Sequence, residues 1–249
     1  MKINIPVLAI TLGLAMPLWA QSPSPTASAG TSAAARSTDS ATSAVTDIYH
    51  VHFAKSAVGK AAEHGKSFEQ DADAPMPGHF IVLRHQNGDT WDYCVIEHLG
   101  TKVTLDAARP APSPAVVGLN EWHSDTYASG PAWAQFAKEM GLDDAAKSDK
   151  SAYVVSVYRP AAGQREALAK FLSEAPDPAT DSTSGNVVLQ HMEGAAWTFL
   201  RISRNNSWAD FGKDTAAAVG AMSQADGGWF KIRDLVAYHT DTLCDRIAP

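Results

Sequence analysis

Cysteine is almost missing from this chain: 249 residues carry two, Cys94 and Cys244. No Cys-x-x-Cys pair exists, so thioredoxin-like redox chemistry is excluded. Gly-x-Gly-x-x-Gly, the P-loop, Gly-x-Ser-x-Gly and His-Glu-x-x-His are absent too, which removes the common nucleotide-binding, hydrolase and zincin readings. Positive charge is scarce, with 20 Lys and Arg against 27 Asp and Glu and a net charge of −7. Such a chain is a poor match for nucleic acid or an anionic membrane, and no nucleic-acid partner is expected.

Long apolar runs are also lacking. The one near the N-terminus, Ile5 to Leu14, is broken by Pro6 and Gly13 and followed by Pro17, and it falls short of the roughly 20 apolar residues a spanning helix needs. With Lys2 ahead of it and Ala20–Gln21 behind, residues 1–20 read as a secretory signal peptide. Its removal takes away Lys2 and moves the charge from −7 to −8. The mature protein is expected to be periplasmic or secreted, with no membrane span. No Cys follows the cleavage point, so no lipid attachment is expected. Residues 21–46 have almost no large apolar side chain and read as a disordered Ser/Thr/Ala/Pro-rich linker, because they cannot bury enough surface to offset the entropy of ordering. Export permits a Cys94–Cys244 disulfide; the strand pattern around Cys94 equally suits a buried thiol.

What the remaining chain does have is duplication. His85-x-x-Gly88-x-x-Trp91-x-Tyr93 returns as His191-x-x-Gly194-x-x-Trp197-x-Phe199 at a constant shift of 106 residues. Before each stand an alternating strand pattern (Tyr49, Val51, Phe53; Tyr153, Val155) and an amphipathic helix pattern (Val58 to Phe68; Gln164 to Leu172). Asn87-Gly88 predicts a two-residue hairpin with Arg84 opposite Trp91. A helix then reads twice, Trp133-Ala-Gln-Phe136 and Trp208-Ala-Asp-Phe211. Residues 47–150 form repeat 1, with a Pro-rich insertion at 101–131; residues 151–249 form repeat 2 with a C-terminal extension. A last echo pairs Trp122-His123-Ser124-Asp125-Thr126 with Tyr238-His239-Thr240-Asp241-Thr242. Leu235, Val236, His239, Leu243 and Ile247 fit one stripe of a C-terminal helix.

Neither face of the hairpins is polar, so each sheet needs cover on both sides. Helices can cover the aliphatic face (Ile81, Leu83, Cys94, Ile96) while the aromatic face meets the other copy. This duplicated β-α-β-β-α order resembles the dimeric α/β-barrel superfamily, ferredoxin-like modules that pair sheet to sheet, here fused in one chain from about Ile48 onward. The resemblance implies an α+β fold of two ferredoxin-like repeats in a barrel-like arrangement. Its members include cofactor-independent monooxygenases and haem-degrading relatives, but no catalytic set of theirs maps onto these residues. Fusion of two copies replaces the usual homodimer, so a monomer is expected.

The leading functional expectation is a small, partly apolar ligand in an aromatic-lined cavity between the repeats, walled by Trp91, Tyr93, Trp197 and Phe199 and contacted by Arg84, Gln190 or Arg201. The enzyme alternative is oxygenase-like or metal-assisted chemistry using His85, His123, His191 or His239 with Asp125 or Asp241, where a carboxylate beside an imidazole fixes its tautomer and raises its basicity. His50-x-His52 projects two imidazoles from one strand face, a spacing metal sites use. No cofactor is predicted, with metal or haem left open. A third reading is an envelope interaction module that uses 101–131 as its contact surface.

Overall fold

A computed structural model describes residues 47–68, 79–100, 118–142, 150–175, 181–221 and 228–249. The signal peptide and linker of residues 1–46 lie outside the described residues. In chain order come β1 (Asp47–Ser56), α1 (Ala61–Lys66), β2 (Phe80–Asn87), β3 (Tyr93–Gly100), β4 (Asn120–Gly130) and α2 (Trp133–Met140). The second copy supplies β5 (Ala152–Pro160), α3 (Arg165–Ser173), β6 (Thr183–Glu193), β7 (Phe199–Asn205), α4 (Trp208–Ala221), α5 (Gly228–Leu235) and β8 (Val236–Ala248). No helix among the described residues is long and apolar enough to cross a membrane.

The strands close into a barrel in the order β1-β3-β2-β8-β5-β7-β6-β4. This is the α+β arrangement that the resemblance implied. Every neighbouring pair is antiparallel, so β1, β2, β5 and β6 run one way and the other four run back. The two copies are therefore related by a rotation about the barrel axis. Each fourth strand bridges between copies: β8 joins β5 to β2, and β4 joins β1 to β6.

The structure differs from several expectations. The helical stripe holds only for Gly228–Leu235; from Val236 the chain is strand, because Thr242, Cys244 and Arg246 alternate as buried positions with the more exposed Asp241, Leu243 and Asp245. The segment 101–131 is more than an insertion, since Asn120–Gly130 within it is β4. The sheet faces are also reversed. Tyr49, Ile81, Leu83, Cys94, Ile96 and their second-copy counterparts fill the barrel interior, while Phe80, Val82 and Tyr93 pack with Phe68, and Tyr158 and Phe199 pack with Leu168 and Leu172 of α3. An eight-stranded barrel is just wide enough for side chains to fill it, and compact aliphatics suit that space. Both cysteines are buried and free, so the core-thiol alternative holds over the disulfide.

The hairpins are longer than a two-residue turn, and Arg84 pairs with Tyr93 rather than Trp91. Gly88 (φ 134°) and Gly194 (φ 121°) occupy backbone conformations that side chains rarely adopt. Each also lies against a strand of the other copy: a β-carbon on Gly88 would collide with the Asp241 carbonyl oxygen, and one on Gly194 with that of Asp125. Beside them Asp89 N–H donates to Thr242 Oγ1 (3.2 Å) and Ala195 N–H to Thr126 Oγ1 (3.2 Å). The twice-written hairpin and the twice-written Asp-Thr are thus the two halves of one latch, formed once at each seam.

The two Trp-Ala-x-Phe helices have diverged in place. Helix α2 closes one end of the barrel: Phe136 and Met140 are fully buried in the interior cluster, Tyr49 Oη donates to Pro131 O (2.6 Å), Tyr153 Oη donates to Met140 O (2.9 Å), and Arg204 Nε donates to Glu139 O (2.8 Å). Helix α4 sits outside, with Trp208 40 % exposed.

Candidate metal centre and the outer sheet faces

Strand alternation sends Tyr49, Val51 and Phe53 into the barrel, and His50 and His52 outward. The β1–β4 register sets His52 opposite Asp125, with His50 opposite Tyr127 and Ala54 opposite His123. Two motifs far apart in sequence, His50-x-His52 and His123-x-Asp125, therefore meet on one outer face. His50 Nε2–H and His52 Nδ1–H both donate to Asp125 Oδ1, each at 2.8 Å. One nitrogen from each imidazole and one Asp125 oxygen lie within 4.8 Å of one another, as metal ligands must. His123 Nδ1 stands 3.4 Å from Asp125 Oδ2, its ring 5.2 Å from that of His52. Glu97 Oε2 lies 3.7 Å from the other nitrogen of His50.

The electrostatics follow from this geometry. Burial pulls the His50 imidazole down, but hydrogen bonds to Asp125 and Glu97 and the charge of both carboxylates outweigh it and push its pKa up to about 9. Hydrogen bonds from His50 and His52 hold the Asp125 carboxyl well below the usual carboxylate range, against the opposing effect of its partial burial. Asp125 is thus a permanent anion between two imidazoles.

The other predicted residues are distributed differently. His85 and His191 end inward-facing strand positions at the same end of the barrel, their rings 5.9 and 5.6 Å from Trp91 and Trp197. They share a face with those indoles, contrary to the two-residue hairpin, because each Trp swings into the interior cluster before the returning strand begins. The Nε2 of each is buried with no hydrogen-bond partner among the described residues. Tyr93 and Phe199 remain outside the barrel, so the four rings do not wall one cavity between the repeats. Arg84 is engaged by Asp245 (2.6 Å) on the barrel exterior.

His239 stacks on Tyr158 at 5.7 Å, with Nε2 3.7 Å from Asp241. Asp241 and Arg201 line a cleft of about 1110 Å³ between the second copy's outer face and α4. Gln190 and Phe199 line a smaller one of about 370 Å³. One cluster had no sequence signal beyond scattered histidines: His98 Nε2 donates to Asp47 Oδ2 (2.8 Å), His98 Nδ1 meets His79 Nδ1 (3.2 Å), and both rings stack on Trp133. Asp47 also accepts from Trp133 N–H (2.9 Å), so this group anchors the start of α2.

No family model matches the chain, and no curated protein matches it. Among solved structures, a crystal structure of a Lactobacillus acidophilus NCFM protein provisionally designated a monooxygenase aligns with a TM-score of 0.48 at 11% identity, over 81% of this chain and 94% of that one. A functional reading therefore rests on the geometry of the site.

Proposed function

We propose that this protein is a metal-assisted enzyme that holds a divalent transition-metal ion between His50, His52 and Asp125. The observation that carries the reading is the convergence of two imidazole nitrogens and a carboxylate oxygen within 4.8 Å. Zinc–nitrogen and zinc–oxygen bonds of about 2.0–2.2 Å at a tetrahedral angle put ligand atoms about 3.3 Å apart. The present 2.8 Å separations need open only slightly to admit an ion in place of the shared protons. Three protein ligands leave a position open for water or substrate, the mark of catalytic rather than structural sites. Two imidazoles and one carboxylate also suit non-haem iron, and imidazole donors suit zinc and copper. When bound, the ion would polarise a substrate oxygen or acidify a water.

The protein's own residues prepare that step. Glu97 orients His50 from the far side of its ring, as carboxylates behind metal-bound imidazoles do. His123, 54 % exposed and beside Asp125, is the proton carrier at the rim. The second copy lacks the set, since Val154 and Ser156 occupy the positions equivalent to His50 and His52.

The mature protein, stripped with chelator, should bind one Zn2+ per chain in calorimetry and develop visible bands with Co2+. Azide should shift those bands by entering the open position. His50→Val with His52→Ser installs the second copy's own residues on this face and should abolish both signals without unfolding the protein. Absence of binding in the parent, or equal binding in the double variant, rejects the metal centre; bands that azide leaves unmoved reject the open site. Export to the periplasm or medium is part of the same proposal, and N-terminal sequencing of the exported protein should begin at Gln21.

A further inference from the structure

The sheet face equivalent to the metal centre in the second copy has become a different site. Ser156 replaces His52 there, and it pairs with Arg201 on β7 and with Asp241 on β8. These three outward side chains form a row across three strands: guanidinium, hydroxyl, carboxylate. The first copy's row at the same place is Val95, His52 and Asp125, so the second copy has gained a cation and lost an imidazole. Neighbouring strands lie about 4.8 Å apart, which sets the Arg201 and Asp241 backbones about 10 Å apart. No ion pair joins the two residues.

The cleft above this row holds about 1110 Å³. The other carboxylates of its lining are hydrogen-bonded within the protein: Asp181 accepts from Thr183 N–H (2.8 Å), Asp214 from Ser182 Oγ and Asn205 Nδ2 (both 2.7 Å), and Asp210 from Ser207 Oγ (2.7 Å) and Lys213 Nζ (3.1 Å). Arg201 gives its Nε–H to Asn186 Oδ1 (2.7 Å), a neutral partner that fixes the guanidinium without cancelling its charge. Asp241 is 54 % exposed, with only the His239 nitrogen near, at 3.7 Å. A cation without an acidic partner and a carboxylate without a hydrogen bond among the described residues thus face a shared volume, while Val154, Phe211, Ala217 and Ala218 supply an apolar wall. Ligand sites characteristically combine such a wall with a few fixed polar groups.

We infer that this cleft binds a zwitterionic small molecule, an α-amino acid with an apolar side chain, its carboxylate on Arg201 and its ammonium on Asp241. Paired charges of this kind give bidentate, geometrically selective contacts on the guanidinium side and a point contact on the other. The site is separate from the metal centre and does not depend on it.

Calorimetric titration of the mature full-length protein with L-phenylalanine and L-leucine tests the assignment. At least one should bind, and Arg201→Gln and Asp241→Asn should each weaken it tenfold or more. N-acetyl-L-phenylalanine, which lacks the cation, and L-phenylalanine amide, which lacks the anion, should lose a similar factor. Ala218→Phe, on the exposed surface of α4, should fill the cleft and block binding with the fold intact. His50→Val with His52→Ser should leave the affinity unchanged, which separates failure of this site from failure of the metal centre. The inference is overturned if neither amino acid binds, if binding survives both charge substitutions, or if the blocked derivatives bind as well as the parent.

Discussion

A β-carbon on Gly88 or Gly194 would meet a backbone carbonyl of the opposite copy, and the positive φ adds strain of its own. Gly88→Ala and Gly194→Ala should therefore each destabilise the protein, by on the order of 1–3 kcal/mol from the backbone conformation alone and more from the collision. Urea denaturation should show nearly equal losses at the two positions, because the two seams are built alike. Unequal losses, or none, would show that the seams yield. His50 offers a second measurement in chelator-treated protein. Its folded pKa of about 9 exceeds the ordinary 6.5, so the protonated ring stabilises the fold fully below pH 6.5, and that contribution fades as pH rises through about 9. A stability–pH profile of His50→Val should lack this alkaline decline. Zn2+ competes for the same nitrogen and should flatten the profile of the parent.

Helices α2 and α4 share a Trp-Ala-x-Phe start but differ in burial, and their phenylalanines should differ in cost. Phe136 is fully buried inside the barrel end, so Phe136→Ala should cost about 3–5 kcal/mol. Phe211 is half-buried against an open cleft, so Phe211→Ala should cost well under half of that by the same denaturation measurement. Sequence similarity made the two helices look equivalent, and only long-range packing separates them. The same limit explains what else was legible. Alternation and the 106-residue shift gave the β-α-β-β order and the duplication. The last strand was hidden because Leu235, Val236, His239, Leu243 and Ile247 also satisfy a helical period, and short apolar runs do not choose between periods. The candidate site was legible only in halves. His50-x-His52 and His123-x-Asp125 each project from one strand face, and the β1–β4 register that joins them is set by barrel closure, which neither segment encodes alone.

Closure governs the whole molecule as well. In an open sheet β2 and β4 would be edges, but here β8 covers one and β6 the other. An edge-free barrel offers no strand for a second chain to extend, so a single chain should be the folded unit. Light scattering after size exclusion should give the mass of a single chain. Because each fourth strand is hydrogen-bonded to the opposite copy, neither repeat can unfold alone without exposing the other's edge. Far-ultraviolet circular dichroism and tryptophan fluorescence should then follow one coincident urea transition, and two separated transitions would contradict the shared barrel. The interior thiols report on the same closure. Cys94 and Cys244 are buried on the inner face, where loss of hydration raises both thiols above their ordinary pKa. Both should resist a disulfide-exchange reagent in the native protein and react together, at the rate of global unfolding, once urea opens the barrel. A thiol that reacts early would place the first opening at the β2–β8 or β2–β3 seam rather than in the barrel as a unit.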